Sequence, residues 1–393
     1  MSNVDFPRYK RLVQSVGSLS SLFSESKTPY LVPRFVENLF VYTSKGINQA
    51  RSDMSFDAIM PDRSGVGVKT ISANGPESRK SEKVAEFTAH ATRGLFAGKD
   101  KSGIAQTVAD LRNQRILSDS RAYGVEVASS FYHCLVRFPG GCRIHEEPYP
   151  LIDTDNLKML PGKGRNPAFT DGKNFYSFSL AKNTLFKRFE LGRYSNSEII
   201  DVEILQNPME LLIRGQLNLE IGELEEIERE QMEEKPFVIL PLYSTTYSDV
   251  RPKSGINQWN AGGRKREFGE AYIPHPKDVR ELYPNFFPSK DVSFTLELPD
   301  GNTTSAKICQ ADGKALMSNP NNALVDWLFK TIDVDDYKSA QRLANRTPFT
   351  YQDLLRVGKD SVKVSLIDSD KLLYRIEPAT IGSYEEFIDS NKS

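Results

Sequence analysis

The stretch FDAIMPDRSGVGVKT, residues 56–70, decides the reading of the N-terminal half. The runs FDAIM and GVGVKTI flank a Pro-Asp-Arg-Ser-Gly turn, the pattern of two short antiparallel strands. Asp57 opens the first strand and Lys69 ends the second, with eleven residues between them. Antiparallel pairing would bring both side chains to one end of a sheet. A carboxylate there can hold a hard divalent cation, which prefers oxygen ligands. A neighbouring ammonium can orient water and stabilise charge that develops on a phosphate. An Asp and a Lys at this spacing are common by chance, so the flanking elements carry the weight.

Working outward, Leu12, Val16, Leu19 and Leu22 give a first amphipathic helix, and Pro33 starts a second, PRFVENLFVYTS, which carries Glu37. Downstream, SEKVAEFTAHATRGLFA reads as a helix with Ser81 as its N-cap, and IAQTVADLRNQRIL as another. FYHCLVRF and FYSFSLA read as strands. On the helical reading Glu82 and Glu86, four apart, share a face.

This order resembles the PD-(D/E)XK nuclease core of type II restriction endonucleases. The likeness rests on the helix with Glu37, on FDAIM…GVGVKT, on SEKVAEF directly after it, and on DGKNFYSFSLAKNTLFKRF. It implies an α/β (α+β) domain over residues 1–219, Mg²⁺ as cofactor, and catalysis by Asp57 and Lys69 with carboxylates from Glu86, Glu82 or Glu37. It also implies metal ligation by Asp57, Glu86 and Val68. One position departs from the pattern: the acidic residue expected two before the Lys is Gly67. Glu86 is the first choice to supply the missing carboxylate, because Val84 and Phe87 would fix its turn in the core. Glu82 is next, and Glu37 would give more distant support or serve a second cation. The plainer alternative is a solvated helix face on which Glu82 and Glu86 pair with Lys83 and Arg79. Gly65 and Gly67 suit either turn geometry or close approach of a phosphate or metal.

Other chemistries lack their motifs. His90, His133, His145 and His275 are isolated, with no His pair around a Glu, and no phosphate-binding Gly-Lys loop occurs. His133, beside Cys134 in a strand-like run, reads as a satisfied core or surface residue rather than a catalytic one. Three cysteines, none in a C-x-x-C pair, argue against a disulfide framework or structural zinc. With no long apolar run and no apolar signal core in MSNVDFPRYKRL, a cytoplasmic protein without membrane partners is expected.

The sharpest shift in composition is EIGELEEIEREQMEEK, residues 220–235, which holds eight Glu against one Arg and one Lys. It reads as an acidic linker helix, stopped by Pro236. Beyond it, over 236–393, short apolar segments end in Pro, Gly, Asp and Asn, the punctuation of a mainly β domain. One helix, NALVDWLFKTI, interrupts them. GEAYIPHP followed by GKALMSNPNNALVDWL resembles the pseudobarrel DNA-binding domain of some restriction enzymes and of plant auxin-response transcription factors, whose two arms grip the major groove.

That likeness implies a first arm carrying Asn257, Gln258, Asn260, Arg264, Lys265 and Arg266, and a second carrying Gln310, Lys314, Ser318, Asn319 and Asn321. Trp259 would pack the first arm, Trp327 would be core, and Asn322 would cap the helix that follows. In the N-terminal half, Lys173, Lys182, Asn183, Lys187 and Arg188 form a further candidate patch. Cations suit phosphates and Asn suits adenine; a solvated basic loop is the plainer reading of each. The total of 51 Lys and Arg against 52 Asp and Glu thus conceals segregated charge.

The expectation is a Mg²⁺-dependent, sequence-specific endonuclease acting on double-stranded DNA. Cutting both strands implies a homodimer or transient pairing on DNA, and the restriction class implies a cognate DNA methyltransferase. The alternative is a DNA-binding regulator with an inactive nuclease-like domain, favoured by Gly67.

Overall fold

The computed structural model describes residues 4–49, 54–161, 164–191, 199–209, 235–260, 270–320, 322–332 and 347–391. The acidic segment 220–234, the cations Arg264, Lys265 and Arg266, and Asn321 lie outside the described residues. The chain divides into two compact units. The first comprises Met1–Ala91, Phe96–Arg112 and Val125–Met232; the second comprises Thr92–Leu95, Asn113–Gly124 and Glu233–Ser393.

The first unit opens with α1 (Phe6–Ser18) and α2 (Pro33–Ser44). Asp5 caps α1 by accepting the Arg8 amide, and Pro33 starts α2 where no intrahelical N–H is needed. The strands β1 (Ile47–Asn48), β2 (Ala58–Ile59) and β3 (Ser64–Ser72) follow, then β4 (Arg79–Glu86). After α3 (Thr88–Thr92) and α4 (Lys101–Tyr123) come the long strands β5 (Glu126–Phe138) and β6 (Gly141–Pro148). The unit continues with β7 (Lys158–Met159), β8 (Ala168–Thr170), β9 (Phe175–Ser179), β10 (Thr184–Glu190) and β11 (Ile199–Asp201). One sheet has the order β1-β2-β3-β5-β6-β11 and the other β4-β10-β9-β8-β7. Tyr9, Val13, Val36, Leu39 and Phe40 of the two helices pack on Val66, Val68, Leu135 and Ile144 of the first sheet. Strand alternation sends Gly67 and Lys69 to its other face.

The expected hairpin is present: β2 pairs antiparallel with β3, Ala58 opposite Val66 and Ile59 opposite Gly65. The helix expected at SEKVAEF is not. Residues 79–86 form strand β4, in register with β10. Lys, Glu and Ala favour a helix locally, but tertiary pairing with β10 overrides propensity. Ser81 is consequently a strand residue and no cap.

The second unit holds β12 (Phe237–Pro241), β13 (Ile273–Pro274), α5 (Lys277–Leu282), β14 (Ser293–Glu297), β15 (Thr303–Cys309) and β16 (Ala315–Asn319). It continues with α6 (Ala323–Ile332), α7 (Tyr351–Val357), β17 (Lys359–Asp368), β18 (Leu373–Thr380) and α8 (Ser383–Asn391). Its strands make one sheet, β12-β17-β18-β14-β15-β16-β13, with a single parallel pair, β14 with β18. The outermost strands β12 and β13 also touch each other, so the sheet curls almost onto itself, as a β pseudobarrel does. Val238, Leu240, Leu296, Leu316, Val362 and Ile376 fill its interior. The fold is therefore mixed α/β in the first unit and mainly β in the second.

Candidate functional site

At the hairpin the Asp57 carboxylate and the Lys69 ammonium come together, with Oδ2 3.8 Å from Nζ. The Val68 amide donates to the same Oδ2 at 2.7 Å. Val68 was expected as a metal ligand, and its amide orients Asp57. Both charged side chains are about three-quarters covered yet open to solvent, at 26% and 29% exposed. Glu37 on α2 pairs with Arg34 at 3.0 Å. Burial, and next the negative charge of Asp57, push the Glu37 carboxyl above its ordinary value, with Arg34 and Lys69 opposing. Burial also raises the Glu82 carboxyl, against Lys69 and Lys80. Asp57, Lys69, Glu37 and Glu82 thus share one electrostatic neighbourhood.

A bulge in β4 separates the two glutamates that a helix would have kept together. Phe186 of β10 pairs with Lys83 and the next pairing, Leu185, is with Ala85, so Val84 is the extra residue. Across it the side-chain alternation resets. Glu82 opposes the buried Lys187, whereas Glu86 opposes Thr184 and lies on the face of Lys83. Glu86 accordingly bonds the Lys83 ammonium at 2.6 Å and the Thr88 hydroxyl at 2.9 Å. Glu86 was the first choice from sequence; in strand β4 it is Glu82 whose carboxyl feels the charge of Lys69.

Gly67 explains the missing acidic residue. A Cβ there would lie 2.8 Å from the Tyr149 ring and 2.9 Å from Tyr132. These rings stack 4.3 Å apart and occupy the space a side chain would need. At Gly65 a Cβ would meet the Phe56 ring at 2.4 Å. Both glycines are strand residues that admit aromatic rings, and neither is part of a turn.

Behind the cluster lies a charged network that the sequence did not disclose. Glu147 is bound by the buried Lys187 ammonium and by His145 Nε2 at 2.9 Å. Lys187 also sits 4.5 Å from the Phe189 ring centre. Expected as a phosphate-facing cation, Lys187 is 2% exposed and already ion-paired. Strand alternation, with Leu185 and Phe189 on the same inward face, was the signal that could have revealed this. Arg188 covers the Phe175 ring at 3.7 Å and reaches Glu190 at 3.3 Å. Lys173, Lys182 and Asn183 sit on turns, the first two exposed and Asn183 with a positive φ of 48°. His133 is interior, bonded to Glu146 at 2.8 Å and to the Tyr9 hydroxyl at 3.1 Å, the core option of the two that its sequence context left open.

Among the arm residues of the second unit, Asn257 is buried and serves the fold. Its amide group bonds both the carbonyl and the N–H of Phe349. Ser318, also expected to face DNA, is 1% exposed. Its hydroxyl donates to the Pro320 carbonyl and accepts the Leu324 amide at 3.0 Å, so Ser318 satisfies an N–H in the first turn of α6. Gln258, Gln310 and Asn260 are partly exposed, and Lys314 and Asn319 are exposed. Trp259 and Trp327 are buried as anticipated. A cleft of about 360 Å³ in this unit is lined by Arg251, Tyr247, Lys277, Arg280 and Lys314. Arg251 stacks on Tyr247 at 4.3 Å. Arg251, Lys277 and Arg280 are scattered in sequence and converge only when the sheet curls, so no local motif marks them.

Among the described residues no three His, Cys, Asp or Glu side chains converge closely enough to hold a metal ion by themselves. No helix among them is long and apolar enough to cross a membrane. A family model described as the NgoFVII C-terminal B3-like DNA-binding domain matches residues 230–368. No curated protein matches the chain.

Proposed function

We propose that the chain is a type II site-specific deoxyribonuclease whose first unit cuts duplex DNA and whose residues 236–393 bind it. The observation that carries the reading is the Asp57–Lys69 pair beside Glu37 and Glu82. The match over residues 230–368, to a domain named for DNA binding in a restriction enzyme, supports DNA as substrate. The cleft cations Arg251, Lys277, Arg280 and Lys314 give the second unit groups suited to phosphates.

An all-oxygen set of carboxylates, with Glu37 raised partly by the charge of Asp57, suits a hard cation. Mg²⁺ keeps most of its waters and takes one or two protein carboxylates together with substrate phosphate oxygens, so a three-ligand cage is not required. Asp57 and Glu82 would hold it, and Glu37 would steady the water shell. When bound, the cation lowers the pKa of water and neutralises phosphate charge. The protein's own contribution is orientation: the Val68 amide fixes Asp57, and Lys69 lies where an ammonium can direct water and offset charge on the phosphorane. Glu82 replaces Glu86 in this scheme.

Double-strand cleavage calls for two such sites, hence a homodimer or transient pairing on DNA, and self-protection calls for a cognate methyltransferase. The second reading, a DNA-binding protein with an inactive nuclease-like unit, is favoured by Gly67, which leaves the usual acidic position empty. Plasmid digestion separates the two. Discrete fragments with Mg²⁺ and none with EDTA support the nuclease; duplex binding without cutting supports the regulator.

A further inference from the structure

The geometry points to Lys80 as a second phosphate-binding cation of the cut site, an inference that rests on the nuclease reading. Strand β4 carries three cations, Arg79, Lys80 and Lys83. Alternation and the bulge place them unequally. Arg79 lies 3.8 Å from Glu190, and Lys83 lies 2.6 Å from Glu86; both are on the exposed face. Lys80 stands two residues before Glu82 on the other face, opposite the buried Phe189. It is partly covered, and no carboxylate lies within 4 Å of its ammonium among the described residues. Its field reaches the Glu82 carboxylate, as does that of Lys69.

A cation in no ion pair among the described residues, beside Glu82, which a metal would engage, is placed to take an anion from solution. Chemistry and position select a phosphate of the DNA backbone next to the scissile one. Such a contact adds affinity without sequence preference and weakens as salt rises.

The test compares full-length wild type, Lys80→Met, Lys80→Arg and Lys83→Met on linearised plasmid DNA. Binding is titrated against salt in EDTA, and cleavage is followed in Mg²⁺. Melting curves check that each variant folds. Lys80→Met should lower the slope of log affinity against log salt by about one, the loss of one phosphate contact. Lys80→Arg should keep the slope, and so should Lys83→Met. Single-turnover cleavage by Lys80→Met should fall at least tenfold. An unchanged slope in folded Lys80→Met overturns the assignment, as does an equal loss in Lys83→Met. Wild type that binds but never cuts overturns the nuclease reading alone; the slope still decides Lys80.

Discussion

Tyr132 and Tyr149 fill the space beside Gly67 so closely that even a methyl group would collide with both rings. Gly67→Ala should therefore cost about 1–3 kcal/mol, the usual penalty of overpacking, measurable by denaturant melts. Gly67→Glu should not repair the motif but destabilise further. Asp57→Ala or Lys69→Ala should abolish Mg²⁺-dependent cleavage while duplex affinity in EDTA stays within a few-fold. Glu82→Gln should lose more cleavage than Glu86→Gln; the reverse order would overturn the assignment of Glu82. Asp57 and Lys69 were legible because a hairpin sets their meeting by local spacing. The different faces of Glu82 and Glu86 were not, because they depend on one extra residue, Val84, in a pairing with a strand about a hundred residues away. Exposure was equally hidden: Lys187, Asn257 and Ser318 carry the right polar groups, but the fold uses them internally.

At the scale of elements, β13 and the turn before β16 are joined through His275. Its Nδ1 donates to the Gly313 carbonyl at 2.9 Å, and its Nε2 is buried without a partner. Burial pulls its pKa down to about 4 from an ordinary 6.5. Between those values the unfolded chain binds the extra proton and the folded chain does not, so stability falls as pH drops from 6.5 towards 4. The loss is on the order of 3 kcal/mol, complete near the lower value. His275→Gln should flatten that part of the stability–pH curve. The elements themselves were largely readable: α1, α2, α4, α6 and the β2–β3 hairpin follow from periodicity, Pro33 and turn residues. Strand β4 was misread because its Lys, Glu and Ala composition favours a helix until β10 supplies a partner.

At the scale of the molecule, the second unit includes segments from well before residue 236. Lys359, 1% exposed, pairs with the buried Asp119 at 3.6 Å. The Trp327 indole donates to the Ala122 carbonyl at 3.2 Å, and Ser118 bonds the Thr331 carbonyl at 2.7 Å. Arg93 lies 3.6 Å from the buried Asp360. A fragment of residues 236–393 would lose all of these contacts, and removing one partner of a buried ion pair typically costs about 3–5 kcal/mol. That fragment should melt far below the full chain, and Asp119→Ala should reproduce much of the loss. Sequence patterning marked an acidic boundary at 220–235, but contacts between residues this distant leave no local trace. On the proposed function, the Asp57 site cuts DNA at defined sequences. Sequencing the fragment ends of a Mg²⁺ plasmid digest by wild type and Asp57→Ala tests it most directly. Wild-type ends should share one sequence context and vanish in Asp57→Ala; specific duplex binding with no new ends, or equal cutting by the variant, would contradict it.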